Sequence, residues 1–243
     1  TWRTTRIETF DHSVVCIPNS VASDSTVENL SYPLETYRSE LIVHIDPGAK
    51  PRWVEKILFD AVISAKGTLK HPTPLILFQG VKQWSAEYSV RFFCQDYRHS
   101  IDVDAAVWND IVQNLRYAGF KSIVHAEFTL FHLDDEEGET RDVAALLVND
   151  IDVFEPFGPL EKERICKMLR HRHLEPERTI IEQGDDGDSL FLVAEGALMV
   201  EMTLEDDTTV EVGRLGAGDF FGEMALLTGE PRGATVTTIT PSQ

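Results

Sequence analysis

The chain is predicted to be mixed α/β and β: a small N-terminal β-domain, an α/β sandwich, and a C-terminal antiparallel β-roll with flanking helices that stops short. Three observations predict this. Apolar residues alternate in the first segment. The middle segment switches between strand and helix periods in the order β-α-β-β-α-β. From Thr179 onward, short strand-like runs are punctuated by Gly184, Gly187, Gly196, Gly213, Gly216, Gly218 and Gly222.

Residues 1–33 form the first unit. Thr5 to Phe10 and Val14 to Ile17 read as strands around the turn Asp11-His12-Ser13, and Pro18-Asn19-Ser20 breaks the pattern. A third strand is expected over Ser25 to Asn29. So little chain does not build its own core, so packing against copies of itself is expected.

Residues 34–133 form the second unit. Leu41, Val43 and Ile45 alternate as a strand, and Asp46-Pro47-Gly48 turns the chain. Pro51 opens a helix whose apolar face is Val54, Ile57, Leu58, Ala61 and Ala65. Strands are expected at Leu75 to Phe78 and Ser85 to Gln95. Asp102 is placed as the N-cap of a second helix with Trp108, Ile111, Val112 and Leu115 on one face, and Gly119 just past its end. Ile123 to Leu130 closes the unit as one strand. This order suits a ferredoxin-like split βαβ arrangement.

An acidic linker is assigned to residues 134–149, beginning with Asp134-Asp135-Glu136-Glu137-Gly138-Glu139, a solvated run. Val143 to Val148 within it reads as a short strand or helix. The third unit is residues 150–243, opening with a helix over Pro159 to His171 and continuing as the roll.

Composition narrows the function classes. The chain has 243 residues, 26% of them charged, and a net charge of −19. A nucleic-acid groove needs clustered Lys and Arg, so no nucleic-acid partner is expected. Cys16, Cys94 and Cys166 are far apart, so reduced, buried thiols are expected rather than a disulfide framework. No run approaches the ~18 apolar residues of a membrane span. The chain opens at Thr1 in strand-like sequence, which reads as a fragment lacking its flanks. His171-Arg172-His173 reads as a basic helix end rather than a metal site, and no metal is assigned. No Ser/His/Asp ordering, HExxH or GxxxxGK[ST] pattern occurs, so no catalytic residue and no enzyme activity are assigned.

The C-terminal stretch is chemically specific. Phe221-Gly222-Glu223-Met224-Ala225-Leu226-Leu227 reads as a strand end and a short helix whose first N–H groups are free to meet an anion. Gly222 lets the backbone approach closely. Arg232 follows, stiffened by Pro231, and a guanidinium pairs two phosphate oxygens at once. Gly233, Ala234 and Thr235 are small. Glu223 can accept a ribose hydroxyl.

These residues resemble the phosphate-binding cassette of the cyclic-nucleotide-binding family of kinase regulatory subunits, catabolite activators and gated channels. Glu182-Gln183-Gly184-Asp185, Gly187-Asp188-Ser189-Leu190-Phe191 and Glu195-Gly196 resemble its first turns. The resemblance implies a site of Gly222, Glu223, Met224, Ala225, Arg232, Gly233, Ala234 and Thr235. Glu223 would hold the ribose 2′-hydroxyl and Arg232 the cyclic phosphate. Gly222 and Ala225 would give backbone donors, with Ala234 and Thr235 lining the phosphate. No cofactor is implied; the ligand is cAMP, with cGMP second, because many cGMP-selective members carry Thr where this chain has Gly233. The family closes its pocket with helices that would follow Gln243.

Arg6-Ile7-Glu8-Thr9-Phe10-Asp11, Val14-Val15-Cys16-Ile17-Pro18-Asn19-Ser20 and Ser25-Thr26-Val27-Glu28-Asn29 resemble the β-domain of the small-conductance mechanosensitive channels. That family places an α/β domain next. The resemblance implies the cytoplasmic part of an inner-membrane channel, anchored through a missing N-terminal transmembrane region and assembled as a ring, a heptamer in the family. With the cassette, it points to the bacterial cyclic-nucleotide-gated channels of that superfamily. A soluble cyclic-nucleotide-responsive regulator, or a mechanosensitive channel whose nucleotide domain is only structural, stays open.

Overall fold

The computed structural model describes residues 3–9, 11–82, 85–124, 129–133 and 143–243. It is a mixed α/β fold with several antiparallel sheets. The backbone divides into two compact units, Thr1–Glu35 and Thr36–Gln243.

In the first unit, β1 (Thr4–Glu8) and β2 (Val14–Pro18) pair antiparallel, with Arg6 opposite Cys16. Pro18 is followed by a short helix, α1 (Asn19–Asp24), where the sequence suggested only a break. The strand expected over Ser25 to Asn29 is absent. That segment is polar and finds no strand partner, and Ser25 Oγ instead donates to the Val21 carbonyl at 2.6 Å, closing the helix. Ile7, Val14, Val15 and Val21 are exposed. Cys16 is exposed and Cys166 half-buried, so only Cys94 is the buried thiol expected of all three.

The second unit opens with β3 (Tyr37–Ile45), which lies between two neighbours in the sheet. α2 (Pro51–Ser64) follows, starting at Pro51 and burying Val54, Ile57, Leu58 and Ala61, with Ala65 buried just past its end. β4 (Leu75–Lys82) and β5 (Ser85–Cys94) form an antiparallel pair, and β5 also pairs antiparallel with β3. α3 (Ser100–Tyr117) then crosses the same face.

α3 begins two residues before the expected cap. Asp96, not Asp102, does the capping: its carboxylate accepts the His99 N–H at 3.1 Å and closes a short turn that runs into the helix. The buried stripe is Val103, Val107, Ile111 and Leu115, whereas Val112 is exposed. Trp108 packs against this core beside Ile111 and Leu115, as expected, and of the expected face Val112 alone departs. Gly119 ends the helix at φ +103°, as its place in the sequence predicted.

Instead of one closing strand there are two, β6 (Phe120–Val124) and β7 (Thr129–Leu133), paired antiparallel. The sheet order is β4-β5-β3-β7-β6, with β7 parallel to β3. The extra reversal places β7 between β3 and the strand that a plain βαββαβ fold would pair with it. Val43, Ile45, Val54, Leu58, Tyr88 and Phe92 are fully buried between sheet and helices. Each such side chain is worth roughly 1.5–3 kcal/mol relative to exposure.

The acidic run 134–139 lies outside the described residues. Residues 143–149 belong to α4 (Val143–Asp150). α5 (Pro159–Met168) is started by Glu161, whose carboxylate accepts the Gly158 N–H at 2.7 Å. It stops at Met168, three residues before the expected end, because Leu169 is extended. His171 to His173 therefore lie beyond the helix and are not its basic end.

The roll consists of β8 (Thr179–Ile181), β9 (Phe191–Leu192), β10 (Leu198–Thr203), β11 (Thr209–Leu215), β12 (Phe220–Phe221) and β13 (Thr235–Thr238), with α6 (Glu223–Thr228) between the last two. β11-β10-β13-β8 is one sheet and β12-β9 the other. Val193, Leu198, Phe221 and Val236 are buried together between them. Among the described residues, no helix is long and apolar enough to cross a membrane.

Candidate site in the C-terminal roll

The site is centred on Arg232, on the loop between α6 and β13. Its main chain is bound on both sides: the Arg232 N–H donates to the Asp185 carbonyl and the Gly184 N–H donates to the Arg232 carbonyl, each at 2.8 Å. Gly184 makes that turn possible at φ +91°. The guanidinium is turned inward, only 6% exposed. Nη1 donates to the Gly222 carbonyl at 2.7 Å and Nη2 to the Ser189 carbonyl at 2.9 Å. The Phe191 ring lies 5.9 Å from its central carbon and stacks on Phe221 at 5.0 Å.

Among the described residues, no carboxylate pairs with Arg232. Among those residues its charge is buried against two carbonyl dipoles and the face of the Phe191 ring. A guanidinium has five N–H donors, and two carbonyls leave the others for a further acceptor. A buried cation without a counter-charge favours an anion at that place.

Gly222 follows β12 at φ +88° and caps α6. A Cβ there would sit 2.5 Å from Arg232 Nη1 and 2.8 Å from the Ser189 carbonyl, so glycine is required for space as well as for conformation. Glu223 is half-buried in the first turn of α6, and its carboxylate takes no hydrogen bond or ion pair among the described residues. Ala225 is buried, and its N–H is among those the helix start leaves unpaired. Met224 is 59% exposed, on the outer side of α6. Gly233 is exposed, while Ala234 and Thr235 are half-buried. Thr235 Oγ1 accepts the Gln183 N–H at 3.0 Å, which ties β13 to the turn before Gly184.

The structure thus brings Gly222 and Arg232 into direct contact, with Glu223 following Gly222 in the chain. Sequence reasoning gave no role to Gly187, Ser189 or Phe191. A Cβ at Gly187 would collide with the Arg232 guanidinium, and Ser189 acts through its carbonyl. Gly187 was legible as a glycine in a turn; the carbonyl of Ser189 has no side-chain signature.

The arrangement is a buried guanidinium with spare donors at the start of a short helix in a β-roll. Residues 171–243 match the family model described as cyclic nucleotide-binding domain. Residues 1–32 match that described as mechanosensitive ion channel, beta-domain. The cAMP-dependent protein kinase type I-alpha regulatory subunit of Mesocricetus auratus is 36% identical over 106 residues, 42% of this chain and 62% of that protein. A cyclic nucleotide-gated potassium channel of Mesorhizobium japonicum is 39% identical over 94 residues, 39% of this chain and 24% of the channel. Among solved structures, the catabolite activator protein of Thermus thermophilus is 29% identical, covering 37% of this chain and 42% of that one, with a TM-score of 0.34. The chain therefore spans less than two thirds of the relatives it matches.

Proposed function

We propose that this chain is the aqueous region of a homo-oligomeric membrane channel, of the mechanosensitive type, whose opening is modulated by a cyclic nucleotide in the roll. The observation that carries the nucleotide reading is Arg232: a buried guanidinium with no carboxylate partner among the described residues, fixed by two carbonyls with donors to spare. In this reading Arg232 binds the cyclic phosphate, with backbone donors from Gly222 and Ala225 and small walls at Ala234 and Thr235. Met224 and Gly233 stand at the solvent side. Glu223 accepts the ribose 2′-hydroxyl. No residue is assigned a catalytic role.

cAMP is preferred over cGMP because Gly233 offers no hydroxyl to a guanine. The N-terminal match supports the channel reading, and the exposed Ile7, Val14 and Val15 suit packing against neighbouring copies at the inner membrane's cytoplasmic face. Ligand shifts the pore only through a difference in affinity between its states.

Recording currents from the full gene product in membrane patches tests this. Opening probability is expected to change with cAMP on the face carrying the roll. Currents that answer to tension and never to cAMP would leave a mechanosensitive channel with a structural roll. Absence of any current, with cAMP bound, would leave a soluble regulator.

A further inference from the structure

Beyond the cassette, the roll is held to the α/β sandwich along one seam. Lys56 on α2 donates to Glu195 at 2.6 Å, to Asp60 at 2.8 Å and to the Pro241 carbonyl at 3.3 Å. Arg214 on β11 reaches the Ile63 carbonyl at 2.9 Å and the Thr68 hydroxyl at 3.1 Å. Lys70 pairs with Glu211 at 2.7 Å.

The turn Gly216-Ala217-Gly218-Asp219 also lies on this seam. Ala217 is buried in a cluster with Tyr117 of α3. A Cβ on Gly216 would sit 2.7 Å from Ser64 Oγ and 2.9 Å from Ser64 Cβ, and one on Gly218 would collide with Gln113 and Tyr117. The turn's backbone therefore lies directly on α2 and α3.

The same turn leads straight into the cassette. Gly218 donates to the Val193 carbonyl at 2.8 Å and Val193 donates to the Asp219 carbonyl at 2.9 Å. β12 follows at once and pairs with β9, with Phe221 opposite Phe191. The next carbonyl, Gly222, holds Arg232. A continuous path of packed backbone thus runs from α3 through the turn to the guanidinium.

We propose that the Gly216–Asp219 turn is a positioning element: its seat on α2 and α3 preorganises the cassette for nucleotide, and nucleotide binding in return tightens that seat. This rests on the nucleotide reading above. Preorganisation favours binding by removing an ordering cost, and linkage makes the coupling reciprocal.

The test uses the 243-residue chain, calorimetric titration with cAMP, and hydrogen exchange of α3. Gly216 does not have a positive φ, so Gly216→Ala crowds Ser64 without straining the backbone. It is expected to weaken cAMP binding about tenfold, within the usual range of coupling energies. Adding Ser64→Gly, which removes the crowding atoms, is expected to restore most of the affinity. In the wild type, cAMP is expected to slow exchange of the amides of residues 111–117.

Unchanged affinity in folded Gly216→Ala, with α3 exchange indifferent to cAMP, would overturn the proposal and leave the nucleotide site standing. Should Gly216→Ala not fold, exchange in the wild type decides alone. A wild-type chain that binds neither cAMP nor cGMP removes the nucleotide reading, and this inference with it.

Discussion

Arg232 donates to the carbonyl oxygen of Gly222 at 2.7 Å, so the side chain that would meet a phosphate is clamped by the residue that starts the cassette helix. The clamp has a second jaw in the Ser189 carbonyl and a floor in the Phe191 ring. Gly187 leaves room for the clamped side chain, because a Cβ there would occupy the place of the guanidinium.

Gly187→Ala is therefore expected to push Arg232 off both carbonyls. Crowding of this kind costs roughly 1–3 kcal/mol. Thermal unfolding should show the loss, and cAMP affinity should fall with it. A variant with wild-type melting and affinity would mean that the guanidinium is not held as described.

Glu223 faces no partner among the described residues, so its contribution is expected to appear only with a ribose hydroxyl present. Glu223→Ala should weaken cAMP by about 1.5–3 kcal/mol, the worth of a hydrogen bond to a charged group. It should leave 2′-deoxy-cAMP nearly unaffected. Competition titration of the two ligands checks this, and equal losses for both would remove Glu223 from the ribose.

Gly233 offers a selectivity test with little structural risk. A Cβ there has nothing within 4 Å. Gly233→Thr is expected to shift selectivity toward cGMP, narrowing the proposed preference for cAMP by roughly the net worth of one hydrogen bond, about 1 kcal/mol. Parallel titrations with both nucleotides measure the ratio.

Asp110 carries a pH dependence. Burial in the seam and the nearby Asp219 carboxyl raise its pKa to about 6, although the Ser64 hydroxyl donates to it at 3.1 Å. Burial raises Asp219 as well, against the Gly216 N–H that donates to it at 2.8 Å. The folded chain therefore holds the Asp110 proton more tightly than the unfolded chain does. Its contribution to stability is present below pH 3.8 and is lost as pH rises through about 6. Asp110→Asn should stabilise the chain at pH 7–8 by about 1–2 kcal/mol, allowing for solvent screening, by roughly half as much near pH 5, and hardly at all near pH 3. Melting curves across that range test it; a gain that does not change with pH would contradict it.

The legible parts of this fold share one property: their signals are local. The α2 face could be read because Val54, Ile57, Leu58 and Ala61 recur at the helical period. Arg232 and Gly222 could be read because phosphate chemistry demands those residue types close together. On α3 the expected Trp108, Ile111 and Leu115 do face the core, while Val112 is exposed and Val103 and Val107 complete the stripe, a choice that packing against the sheet decides. The hairpin of β6 and β7 was read as one strand, because pairing with β3 is a long-range matter. The seam was invisible for the same reason. Lys56 and Glu195, or Arg214 and Thr68, are far apart in the chain and look like ordinary surface residues until the fold joins them.

The central claim is that Arg232 holds the cyclic phosphate. Calorimetric titration of cAMP into the wild-type chain and into folded Arg232→Ala, side by side, tests it most directly. The account predicts saturable one-site binding by the wild type and a loss of at least about a hundredfold in the variant, in keeping with the 3–5 kcal/mol of a broken buried charge pair. Equal affinity in the two chains would contradict it.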